Sequence, residues 1–139
     1  MSDSVVDARG REGGCLCRKI RFAVTGEPDD PHICACPHCK KRAGGPFQWW
    51  VGFPLQGLKW TGDEPTWFDT YPGETRRGFC PTCGSSIAAL DYDDNTIIGI
   101  NTTALDDQDD PCLVPVNLNR LSDAAPWLAQ PGTKHATGD

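Results

Sequence analysis

Residues 13–25 read Gly13-Gly14-Cys15-Leu16-Cys17-Arg18-Lys19-Ile20-Arg21-Phe22-Ala23-Val24-Thr25, and two features of that stretch decide the fold. The alternation from Lys19 to Thr25 puts Ile20, Phe22 and Val24 on one face, as a half-buried β-strand requires. The glycine-led C-x-C turn ahead of it offers two thiols, half of the tetrahedral shell that structural zinc takes. The other half is offered by Phe79-Cys80-Pro81-Thr82-Cys83-Gly84, a C-x-x-C knuckle whose trailing glycine admits a left-handed backbone. One zinc on Cys15, Cys17, Cys80 and Cys83 would tie the first strand to a late one.

Outward from these motifs the chain reads as short strands broken by turns. Further strand candidates are Phe47 to Phe53, Leu58 to Trp60, Thr66 to Thr70, Thr75 to Phe79, Ser85 to Leu90 and Thr96 to Asn101. With 12 Pro and 15 Gly in 139 residues, long helices are excluded, and the regular spacing argues for antiparallel sheets. Helical turns are expected after the central cysteines through Lys40, Lys41 and Arg42, stopping at Gly44 and Gly45, and again over Ala124 to Leu128. The acidic segment Asp106 to Asp110 reads as a solvated loop. Residues 1–11 and 131–139, the latter with His135, read as flexible arms around one domain spanning 12–130.

Lys and Arg number 13 against 19 Asp and Glu, a net charge of -6 that argues against nucleic acid as a partner. No apolar run approaches the roughly 18 residues of a membrane span, and no export leader is evident, so a cytoplasmic protein without membrane contacts is expected. In a reducing compartment eight cysteines imply metal-binding thiolates rather than disulfides.

The central run Cys34-Ala35-Cys36-Pro37-His38-Cys39 offers three thiolates with no second pair to complete the shell. Three protein ligands and a vacancy are the pattern of a catalytic metal site, able to take water or a substrate thiolate. Two other readings stand beside it. Cys112, His32 or His38 closes the shell and makes a second structural site, or the three thiols work as a redox trio without metal. Lys40, Lys41 and Arg42 are a solvated basic face or a dock for the carboxylate of an anionic thiol. Trp49 or Trp50 is placed to wall a pocket near the second site.

These motifs resemble the family of glutathione-dependent formaldehyde-activating enzymes, which also contains centromere protein V. The resemblance rests on Gly13-Gly14-Cys15-Leu16-Cys17 leading into Ile20-Arg21-Phe22, on Cys34-Ala35-Cys36-Pro37-His38-Cys39-Lys40-Lys41 with Gly44 and Phe47, and on Phe79-Cys80-Pro81-Thr82-Cys83-Gly84-Ser85. It implies a mostly β, Mss4-like β-tent of antiparallel sheets pinned by zinc, with a structural zinc on Cys15, Cys17, Cys80 and Cys83 and a catalytic one on Cys34, Cys36 and Cys39. It also implies a carbon-sulfur lyase that forms or cleaves the adduct of a small thiol such as glutathione with an aldehyde such as formaldehyde. Lys40, Arg42 and Trp49 are the candidate substrate-binding residues. The chain departs from the family pattern at Ala35, at Lys40-Lys41 and in lacking a C-terminal His ahead of Pro126-Trp127, which keeps a non-catalytic, zinc-stabilised binding or scaffold protein open as the alternative.

Overall fold

Short alternating runs can bury one face only by pairing, and the computed structural model, which describes residues 10–128, shows how they pair. In chain order the strands are β1 (Arg11–Gly14), β2 (Arg21–Val24), β3 (Asp29–Cys34), β4 (Gln48–Pro54), β5 (Leu58–Trp60), β6 (Thr66–Tyr71), β7 (Thr75–Phe79), β8 (Ser86–Asp91), β9 (Asp94–Asn101) and β10 (Asn117–Asn119). One α-helix, α1 (Pro37–Ala43), joins β3 to β4. Among the described residues no helix is long and apolar enough to cross a membrane.

Strands β1, β2 and β5 make a three-stranded antiparallel sheet in the order β1-β2-β5. The other seven form a sheet in the order β10-β3-β4-β9-β8-β7-β6, antiparallel except where β10 runs parallel to β3. The chain is thus mostly β, with the antiparallel pattern broken at that one edge. Strand β4 is buried along nearly its whole length, which suits its place between β3 and β9.

The core lies between the two sheets. Ile20, Phe22 and Val24 of the first strand face meet Val51, Phe53, Ile98 and Ile100 of the large sheet, all essentially solvent-free. Burial of a side chain of this size contributes roughly 1.5–3 kcal/mol. The Pro111–Leu113 turn joins them through buried Leu113, whose carbonyl accepts the Trp49 indole N–H at 3.1 Å.

The helix stops where glycine is required: Gly44 has φ 71° and donates its N–H to the Lys40 carbonyl at 2.8 Å, a left-handed cap. No helix forms over Ala124 to Leu128; a single 3-10 turn at Leu121–Asp123 precedes it instead. Pro126 has no N–H and biases Ala125 toward extended backbone, which defeats a helix there. The acidic segment is not simply solvated. A bridge between Gly13 and Leu105 lays it beside β1, so Asp106 grips Arg21 at 2.6 and 3.1 Å and Asp110 accepts from nearly buried Arg11 at 2.7 Å. Arg11, read as part of the flexible N-terminal arm, therefore begins a strand. The expected C-terminal arm and His135 lie outside the described residues.

Phe53→Ala is expected to lower unfolding free energy by about 3–5 kcal/mol in denaturant titration. Phe68→Ala, at a side chain 57% exposed, should change it by less than about 0.5 kcal/mol. Equal effects would contradict this placement of the core.

Candidate functional site

Local turn geometry brings the first four cysteines together. Between β1 and β2 the chain reverses with Arg18 N–H on the Cys15 carbonyl at 3.1 Å and Cys15 N–H on the Ile20 carbonyl at 3.1 Å. At the second knuckle Gly84, φ 82°, returns its N–H to the Cys80 carbonyl at 2.8 Å. The Sγ atoms of Cys15 and Cys17 lie 3.5 Å apart, those of Cys17 and Cys80 3.7 Å, and all four of Cys15, Cys17, Cys80 and Cys83 fall within 4.8 Å of one another. Sulfurs at the corners of a tetrahedron with bonds of about 2.3 Å stand about 3.8 Å apart, so the set fits a metal ion. The Ile20 amide donates to Cys15 Sγ at 3.3 Å and the Cys83 amide to Cys80 Sγ at 3.4 Å, so backbone N–H groups face two of the four sulfurs.

The second cluster is built differently. Cys34 ends β3, Cys36 caps α1, and Cys39 lies within the helix, 3% exposed. Cys34 and Cys36 Sγ atoms are 3.4 Å apart, the Cys39 amide donates to Cys36 Sγ at 3.4 Å, and the three sulfurs lie within 4.8 Å of one another. None of the three residues considered as a fourth ligand joins them. His32 turns its Nδ1 to the Asp30 carbonyl at 2.8 Å, His38 packs edge-on to Tyr71 at 4.6 Å, and Cys112 is exposed in the Pro111–Leu113 turn. The seven cysteines of the two clusters form no disulfide.

A cleft of about 760 Å³ opens between the first cysteine turn and the end of α1, lined by Cys15, Arg42, Phe47, Gln48 and Trp49 among others. It does not reach the second cluster directly; its nearest link is Gln48, whose cross-strand partner is Cys34. With this, residues on both sides of the cleft come from the cysteine motifs. A family model described as glutathione-dependent formaldehyde-activating enzyme matches residues 10–116, which contain all eight cysteines. The chain belongs to this family. A crystal structure of a Rhodobacter sphaeroides protein from structural genomics shares the fold, with TM-score 0.61, 20% identity, and coverage of 77% of this chain and 98% of that one. No curated protein matches the chain.

In this member of the glutathione-dependent formaldehyde-activating family, two of the three substrate-binding candidates line the cleft. Arg42 lies over the Phe79 ring at 5.5 Å, and Trp49 presents part of its ring. Lys40 does not line it; its Nζ donates to the Asp123 carbonyl at 2.6 Å. Positions two apart on a helix face different ways, so α1 cannot turn both Lys40 and Arg42 to one cleft. Gln48 and Ser86 also line it and were not singled out from the sequence. The only signal was a polar residue sharing the Trp50 face of a strong strand. Trp50 pulls the Cys39 thiol down against its other neighbours and carries Arg77 over its ring at 5.4 Å.

The thiols share protons unequally. Cys34 is pulled down to about 5, chiefly by its hydrogen bond from Cys39 and, against the cost of burial, by the Cys36 amide and the thiol of Cys36. Cys39 is pushed up by the same bond and by burial. In the first cluster the Ser85 hydroxyl and the amides of Cys17 and Ser85 bring Cys83 to about 5. At Cys17 the Lys19 amide pulls the other way, but desolvation and three neighbouring sulfurs raise it to about 11. Packed thiols that hold some protons and some charge are the state a divalent cation replaces.

In chelator-stripped protein at pH 7, iodoacetamide should therefore alkylate Cys34 well ahead of Cys39, read by mass spectrometry of the digest. A depressed thiol keeps its charge until pH falls through its own value, so the Cys34 rate should drop as pH passes below about 5. Equal rates at the two residues would contradict the proton sharing.

Proposed function

We propose that the chain is a zinc-dependent carbon-sulfur lyase that forms or cleaves the adduct of a small thiol such as glutathione with a small aldehyde such as formaldehyde. Zinc is proposed at both clusters, closed on Cys15, Cys17, Cys80 and Cys83 and open on Cys34, Cys36 and Cys39. The observation that carries this reading is the second cluster: three convergent thiols, with no further Cys, His, Asp or Glu among the described residues grouped with them. Family membership supports it. A reducing, cytoplasmic setting, in which cysteines stay available to metal, is part of the proposal.

Zinc bound by three thiolates supplies a Lewis acid with one exchangeable position. The protein's own groups do the rest. Cys34, Cys36 and Cys39 would hold that position at the head of α1. Arg42, at the rim of the cleft, is placed to pair with a carboxylate of the thiol substrate, and Trp49 and Phe47 wall its apolar part. The sulfur then adds to the aldehyde carbon, the carbonyl π pair moves to oxygen, and the thiol proton ends on that oxygen; the reverse releases both partners.

A second reading, a zinc-stabilised binding protein of the same fold, draws on one observation: the large cleft is lined by Cys15 but by none of Cys34, Cys36 and Cys39. One experiment separates the two. Purified protein should carry two zincs per chain and accelerate glutathione–formaldehyde exchange in magnetisation-transfer NMR. Cys36→Ala should keep one zinc and fall to the uncatalysed rate. A parent protein with two zincs and no acceleration would leave only the binding reading.

A further inference from the structure

Gln48 is 2% exposed and sits opposite Cys34 on the neighbouring strand, so the two side chains share a face. Its Nε2 donates to Ser86 Oγ at 2.9 Å, while its Oε1 is enclosed with no hydrogen-bond partner. A buried amide oxygen left unpaired is disfavoured, and Leu or Met would fill the same space without that cost. The residue also lines the 760 Å³ cleft beside Arg42 and Trp49. The bond to Ser86 accounts for the Nε2 end of the amide, and nothing in the packing accounts for Oε1.

The geometry points to Gln48 as a catalytic residue that binds the oxygen of the aldehyde and of its thiol adduct, an inference that rests on the lyase reading above. The reaction changes that oxygen's character. In the aldehyde it is a carbonyl that only accepts; in the adduct it is a hydroxyl that also donates. A small shift of the groups that enclose Oε1 opens it to an adduct hydroxyl while Nε2 holds Ser86. Turned end over end, Nε2 donates to the carbonyl and Oε1 accepts the Ser86 hydroxyl, because a serine hydroxyl can serve as acceptor or donor. The Gln48–Ser86 pair therefore satisfies both ends of the reaction without a charged group. Ser86 is held for this by its own carbonyl, which accepts from Asn101 Nδ2 at 2.9 Å. Since Oε1 is shielded from water, a bond made there meets little competition from solvent.

The test uses full-length, zinc-loaded, 15N-labelled protein with glutathione alone and then with glutathione plus formaldehyde. The Gln48 side-chain amide resonance, assigned through its backbone, should move with the mixture and stay in place with glutathione alone. Gln48→Leu should keep two zincs and bind glutathione as the parent does. Its exchange rate should fall on the order of a hundredfold. A still resonance in a parent that catalyses exchange, or a Leu variant within about twofold of the parent rate, would overturn the role of Gln48 and leave the lyase reading intact. A resonance that moves in a parent with no exchange above background would overturn the lyase reading and keep the contact.

Discussion

Four sulfurs gathered within 4.8 Å of one another, on Cys15, Cys17, Cys80 and Cys83, are the constraint on which the rest of the structure depends. They bring the turn leading into β2 against the turn leaving β7, and so draw the small sheet and the large one together where the two turns meet. Without a cation, such a cluster must hold some protons and still crowd partial negative charge, as the opposed shifts of Cys83 and Cys17 record. With one, the same four atoms become a crosslink between segments distant in sequence, and the binding energy becomes folding energy. A mostly β domain with a modest core gains much from that.

The second cluster exploits a different local rule. A cysteine at the helix cap, one three residues on and one at the end of the preceding strand converge because α1 starts immediately after β3. The helix can be only two turns long, since Gly44 ends it, and its exit places Arg42 and Phe47 at the cleft that runs back to the first cysteine turn. The rigid sheet residues Gln48, Trp49 and Trp50 sit beneath. Scaffold and candidate chemistry thus share the same turns, which is why the family motifs occupy so much of the chain.

Much of this was legible in the sequence. The cysteine spacing separated the two clusters, the strands at Leu58–Trp60 and Thr75–Phe79 have the bounds read for them between turn residues, and Gly44 stopped the helix as its backbone requires. The rest was not, for physical reasons. Asp29–Cys34 carries Pro31 and no alternation, and is a strand because β4 and β10 pair with it on both sides. Three-residue β10 is too short to show a period. The separation of Lys40 from Arg42 depends on where α1 faces, and the significance of Gln48 depends on a cross-strand partner that only the fold supplies.

X-ray absorption at the zinc edge of the purified protein tests the central claim most directly, because the claim concerns coordination. One closed and one open site predict a shell of sulfur at about 2.3 Å with an added light-atom component at about 2.0–2.2 Å, and that component should fall when glutathione is added. A shell of sulfur alone before any thiol is added would mean that both metals are closed, and would contradict an open three-cysteine centre.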